Sequence, residues 1–148
     1  MSASGCVLCD SDGGVLLHRA ADWRLVRTDD TPSHPVFYRL IWNRHVAEFS
    51  DLSEAERSDC MDAVARIERA LRTALQAADL PVRKINLASL GNMVPHLHWH
   101  LVARFAEDAQ FPAPLWAPAV RADDAGHLQR LQDALPALDA AVAAAAAD

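Results

Sequence analysis

Residues 96–105 read HLHWHLVARF, with imidazoles alternating with large apolar side chains at His96, His98 and His100. That pattern constrains the local fold strongly. In an extended strand successive side chains point to opposite faces, so the three histidines share one face and Leu97, Trp99 and Leu101 the other. A helix would scatter the rings around its axis. The alternation predicts a strand whose apolar face lies on a core and whose histidines line a surface.

Such a strand needs neighbours and a covering layer, and the chain supplies both. WRLVRT (23–28), VFYRLIW (36–42) and RKINLAS (83–89) read as strands, being alternating or rich in β-branched and aromatic residues. DDTPSHP (29–35) is turn chemistry, LGNMVP (90–95) a Gly-containing loop, and residues 1–14 a further loop. Ser53 and Glu56 have the spacing of a capping box, and Met61, Val64, Ile67 or Glu68, Leu71 and Leu75 carry a helical stripe. That helix should stop near Asp79, because Pro81 disfavours helical geometry just before it.

EDAQFPAPLWAP (107–118) is irregular. The Ala-rich tail, 117–148, is helix-prone but is expected to break at Pro136 and to fray, its alanines having little to bury. Strands around one long helix, with a C-terminal helix after them, predict an α+β fold with a mostly antiparallel sheet of about five strands. A chain of 148 residues fits one domain, 1–148, with its core over about 6–116.

The bulk chemistry narrows the function classes. A net charge of −6 argues against long nucleic acid as a partner, since a polyphosphate backbone needs a basic face, but leaves room for one nucleotide. No apolar run reaches the roughly 18–20 residues of a membrane span. The start MSASGCVLCDSDGG has neither the basic nor the apolar region of a signal peptide, so the expected location is the cytoplasm. Cys6, Cys9 and Cys60 are then thiols or metal ligands rather than a disulfide framework, with Cys60 a small buried hydrophobe in the long helix.

Three imidazoles on one face invite either a metal or a nucleophilic role. On a regular strand the first and third Cα atoms lie roughly 13 Å apart. Zinc draws its nitrogens to about 2.0–2.1 Å, so one ion held by all three is disfavoured. A neutral imidazole is a competent nucleophile near neutral pH: one nitrogen attacks while the other is held by an acceptor. A phosphorus centre suits His98 in that role, with its neighbours handling oxygens and protons. Seven histidines make a chance pair at i, i+2 unremarkable, but three in strict alternation behind GNMVP favour function over packing.

HLHWHLV (96–102) resembles, at every position, the His-φ-His-φ-His-φ-φ signature of the histidine triad nucleotide hydrolases and transferases. KINLASLGNMVP (84–95) and FPAPLW (111–116) are similar to a bacterial branch of that family. The resemblance implies a homodimer whose sheets join across the interface. It also implies cleavage at the α-phosphate of a nucleotide through a nucleotidyl-histidine, with no metal in the chemical step. Candidate substrates are AMP conjugates, phosphoramidates or dinucleoside polyphosphates. By position His98 is the nucleophile, His100 contacts the α-phosphate and assists the leaving group, and His96 orients the cluster. Asn86 matches a donor toward phosphate or ribose, and Asp29 an acceptor of ribose hydroxyls. A turn or cap role, or Asp30 instead, also accounts for Asp29. Asn92 falls where relatives carry a glutamine, and a plain turn role fits it equally.

Two positions depart from the pattern. Met93 stands where relatives carry a Ser or Thr that hydrogen-bonds the leaving group, and a thioether cannot donate. Phe37 stands where relatives carry a histidine, with His34 nearby but out of register. Some relatives also bind a structural zinc, and those ligand positions map to Cys6, Cys9, His45 and His96. Two other readings stay open: a hydrolase with a catalytic zinc, and a nucleotide-binding or interaction module with vestigial activity. His18 and His127 read as surface residues. Trp23, Trp42 and Trp99 read as sheet packing, and Trp116 as core packing, for which a cover over the nucleotide pocket or the dimer seam is the alternative. Glu48, Glu54 and Glu56 read as a solvated helix start and cap.

Overall fold

In the computed structural model, which describes residues 5–148, the polypeptide forms one five-stranded antiparallel sheet backed by helices. Its strands are β1 (Val15–Arg19), β2 (Trp23–Arg27), β3 (Phe37–Trp42), β4 (Lys84–Ala88) and β5 (His98–Arg104), in spatial order β1-β2-β3-β5-β4. The helices are a single turn, α1 (Val7–Asp10), the long α2 (Glu54–Ala77) and α3 (Ala125–Ala146). This is the expected α+β architecture. Among the described residues no helix is long and apolar enough to cross a membrane.

Register explains the two faces. Phe37 pairs with Val102, Arg39 with His100 and Ile41 with His98, while Asn86 pairs with Val102 from the other side. Directly opposed residues share a face. The histidine face therefore also carries Phe37, Arg39, Ile41, Asn86 and Arg104. The opposite face presents Leu25, Tyr38, Leu40, Trp42, Ile85 and Leu101, all buried, to Val64, Ile67, Leu71 and Leu75 of α2. Helix α2 begins as read. Ser53 Oγ accepts from the Glu56 N–H, and Glu56 Oε2 accepts from the Ser53 N–H.

Three expectations need correction. Within the described part of the expected 1–14 loop lies α1, and after it comes an unanticipated strand, β1. Its VLLHR sequence has no clean alternation, and its register slips between Leu16 and His18, as an edge strand tolerates. The tail neither breaks at Pro136 nor frays. Helix α3 runs through that proline, and Leu131, Leu135, Leu138, Val142 and Ala146 join the core. Pro136 sits on the exposed face, so the burial of the other face outweighs one missing backbone hydrogen bond. His127 is buried rather than exposed: its N–H donates to Asp124 at the α3 N-cap, and its ring meets Phe105 edge-on at 4.9 Å.

Candidate functional site

The three signature histidines divide into two groups. His98 and His100 lie inside β5, ring to ring at 4.9 Å. His96 precedes the regular strand, and its ring turns toward the N-terminal cysteines. The 96–97 backbone is held in place by its own bonds: the His96 N–H donates to Val94 O, and Leu97 bonds Val46 and Trp42.

His98 Nδ1 lies 2.6 Å from the backbone oxygen of His96. A carbonyl only accepts, so Nδ1 carries the proton and Nε2 carries the lone pair. Within the described residues Nε2 has no hydrogen-bond partner. Burial, only partly countered by that bond to His96 O, lowers the affinity of His98 for a second proton. His100 is pushed further, to about 3, by burial first and then by His98 and Arg39. Both rings are neutral near pH 7.

The histidines do not line an open surface as expected. His96, His98 and His100 are 0%, 8% and 6% exposed. Leu8 of α1 packs with Val26 and Ile41 on this face, with Cys6 and Val94 around them. At the other end Trp116, itself largely exposed, meets His100 at 5.5 Å, so it covers the site rather than packing in the core. His98 still borders a cleft of about 230 Å³ between Ala47–Phe49 and Ser89–Gly91. A larger groove of about 810 Å³ lies between the end of α2 and β4, but it holds none of the triad.

The other expected residues are placed unevenly. Asn86 sits on the triad face, and its Oδ1 accepts from Arg104 Nη1 at 2.9 Å. Arginine only donates, so the amide orientation is fixed and Nδ2 is left as a donor. Arg104 is in turn clamped by Asp108 through two bonds, at 2.9 and 3.0 Å. Burial pushes the Asp108 carboxyl up, but hydrogen bonds and charge from Arg104, with the Phe105 and Phe111 N–H groups, hold it below its ordinary value. Asp29 and Asp30 are exposed in the turn after β2. Asn92 is exposed, and Met93 is 93% exposed; neither is brought to the triad. Phe37 does occupy the triad face, edge-on to His100 at 5.1 Å, while His34 lies instead beside Asp108.

Cys6, Cys9, His45 and His96 come together from three separate parts of the chain, their ligand atoms all within 4.8 Å of one another. The His45–His96 Nδ1 separation is 3.2 Å, and three Sγ···Nδ1 separations are 3.3–3.5 Å. A tetrahedron with zinc's bond lengths has edges of about 3.3 Å for N···N and about 3.5 Å for S···N. The spacings therefore fit ligands around one ion better than a set of mutual hydrogen bonds. His96 Nε2 donates to Trp42 O at 2.6 Å, which leaves Nδ1 as the ligating lone pair. Arg24 secures the loop carrying both cysteines, bonding the oxygens of Leu8, Ser11 and Asp12 and the side chain of Asn43.

Sequence reasoning missed Arg39, Arg104 and Asp108. The signal for Arg39 was present: one charge in an otherwise apolar strand, on the same parity as Phe37 and Ile41. Nothing local marks the Arg104–Asp108 clamp as an orienter of Asn86, because that contact crosses strands.

An antiparallel sheet of an α+β fold carries two neutral, adjacent imidazoles, one with its tautomer fixed by a backbone carbonyl. The HIT domain profile matches residues 19–107, more than half of the sequence, and the chain belongs to the histidine triad family of nucleotide hydrolases and transferases. Cys6, Cys9 and α3 lie outside that match. Among solved structures, histidine triad protein blr8122 from Bradyrhizobium japonicum is 29% identical, with 85% of this chain and 90% of that one covered and a TM-score of 0.63. Histidine triad protein SMc02904 from Sinorhizobium meliloti is 22% identical, with coverages of 82% and 90% and a TM-score of 0.62. A zinc-bound histidine triad family protein from Mycobacterium smegmatis is 21% identical, with coverages of 93% and 97% and a TM-score of 0.55. No curated protein sequence matches.

Proposed function

We propose that this protein cleaves a nucleotide conjugate at its α-phosphate through a covalent nucleotidyl-His98. The supporting observation is the 2.6 Å contact of His98 Nδ1 with His96 O, which makes Nε2 the free nucleophilic nitrogen. In the first step the Nε2–P bond forms and the bond from phosphorus to the leaving group breaks, the leaving group departing with the electron pair and taking a proton from solvent. Water then attacks the same phosphorus, the Nε2–P bond breaks, and the proton of water passes to solvent. His100, neutral, donates an N–H to a non-bridging oxygen rather than acting as a strong acid. Asn86 offers Nδ2 to phosphate or ribose, and Asp29 accepts from ribose hydroxyls. Asn92 and Met93, both at the surface, join only if their loop closes on substrate.

The four-ligand cluster is proposed to hold a structural zinc. Two thiolates and two imidazoles complete a tetrahedron and leave no open position for water, which disfavours a catalytic role for that ion. Bound there, zinc supplies a tie between the N-terminal loop and the residue preceding β5. The zinc-bound relative from Mycobacterium smegmatis supports the reading. We also propose a homodimer joined along β4, whose outer edge has no strand partner among the described residues. The single chain is read as one domain that works in the cytoplasm.

The decisive experiment is intact-mass analysis after mixing with adenosine phosphoramidate or diadenosine tetraphosphate. A transient increase by one nucleotidyl group, lost in His98→Ala, is expected. Turnover without any adduct, abolished by chelator, would instead favour a metal-activated water. A vestigial binding module would hold nucleotide yet turn over neither substrate, in wild type and His98→Ala alike; exposed Met93, which cannot donate, is the observation in its favour.

A further inference from the structure

Three arginines of the inner strands β2, β3 and β5 lie on the triad face of the sheet, and their hydrogen bonds separate them. Arg24 and Arg104 are both nearly fully buried, and each has its guanidinium engaged by carbonyls and side chains of the protein. Their roles are structural and complete. Arg39 differs. Its only hydrogen bond among the described residues is a long one, Nη1 to Gly13 O at 3.5 Å, and its Nε is buried without a partner. Its guanidinium carbon lies 5.2 Å from the centre of the Phe37 ring, the ring that also meets His100. Asp29 and Asp30 face it from the turn after β2 without forming an ion pair with it, and His98 and His100 both feel its charge from β5.

Arg39 is the direct cross-strand partner of His100, and His100 Nδ1 is likewise buried with nothing bonded to it among the described residues. Adjacent residues with orphaned polar atoms on one face are costly to leave unfilled, more so when one is a cation. Arg39 calls for an acceptor, and an anionic oxygen there can also take the N–H of the neutral His100 ring. A guanidinium, planar and always charged, is suited to a phosphoryl group that presents two oxygens.

We propose that Arg39 is a specificity-determining residue that, together with His100, binds the substrate's phosphate charge, and so makes the site select nucleotides over nucleosides. This rests on the nucleotide reading above and adds a residue to it. The complementary acidic groups, Asp29 and Asp30, lie on the same side and suit the hydroxyls of the attached ribose.

The test is calorimetric binding of AMP and of adenosine to the full-length protein, comparing wild type with Arg39→Gln and Arg39→Lys. Losing charge-assisted bonds to a phosphate is expected to weaken AMP binding by about 10–100-fold in Arg39→Gln while adenosine affinity stays within about twofold. Arg39→Lys, which keeps the charge but not the fork, should fall between. If Arg39→Gln does not fold, the Lys variant carries the test alone, with a loss for AMP and none for adenosine expected. Unchanged AMP affinity, or equal losses for both ligands, would overturn the assignment while leaving the nucleotide reading intact. Wild-type protein that binds neither ligand would overturn that reading as well.

Discussion

At the scale of single residues, the proposed function turns on which nitrogen of an imidazole is free. His98 has its Nδ1 committed to a backbone carbonyl, so in the proposed reaction replacing it removes the attacking lone pair. His98→Ala should lose the adduct and at least about 10³-fold in turnover, measured in single-turnover assays, while keeping AMP affinity within a few fold. The Arg104–Asp108 clamp makes a separate prediction. Because the Asp108 carboxyl is held below its unfolded value, its stabilisation is present above pH about 4 and is lost as pH falls through the folded value. Wild-type melting temperature should therefore drop between pH 5 and pH 3, and Asp108→Asn should flatten that dependence. At pH 7 the same variant leaves Arg104 without its carboxylate and should cost about 3–5 kcal/mol in urea unfolding. A variant as stable as wild type at pH 7 would show that the clamp contributes little.

At the scale of elements, α3 shows how packing overrides a local signal. A proline inside a helix costs about 3 kcal/mol in isolation. Here it falls on the solvent face, while Leu131, Leu135, Leu138 and Val142 bury the other against α2 and the sheet. Pro136→Ala should accordingly stabilise the protein by about 1–3 kcal/mol, whereas Leu138→Ala should destabilise it by about 2–5 kcal/mol. Chemical denaturation of the two variants checks both signs. Helix α2 behaves oppositely: its capping box and its stripe already agree, so its start was legible from Ser53 and Glu56 alone. Strand β5 lies between these cases. Its alternation announced a strand with a polar face, yet His96 falls just before the regular part and turns to the cysteines.

For the whole molecule, the proposed zinc site is the join that matters most, because an ion there would tie residues 6 and 9 to residues 45 and 96. Zinc analysis should return about one ion per chain, and a chelator should lower the melting temperature by at least about 5 °C. Cys9→Ser should do the same. Metal-free protein with unchanged melting would remove the tie from the account. Sedimentation equilibrium should find a dimer, and a monomer at micromolar concentration would rule out pairing along β4. The burial of the triad was not legible in sequence, since the cover comes from residues around Leu8, Val94 and Trp116, distant along the chain from one another.

What the sequence determined by itself was periodic or capped: the strand parity that aligns three imidazoles, the stripe and box of α2, and the family signature. Each of these is a local pattern, readable because side-chain direction repeats every two or every 3.6 residues. Only the tertiary structure decided that His96 leaves its companions for two cysteines, that Arg104 aims Asn86, and that Arg39 stands beside His100 with no ion pair among the described residues. Those facts depend on which strands lie adjacent and in what register, and register is set by burying a whole core at once, not by any one segment.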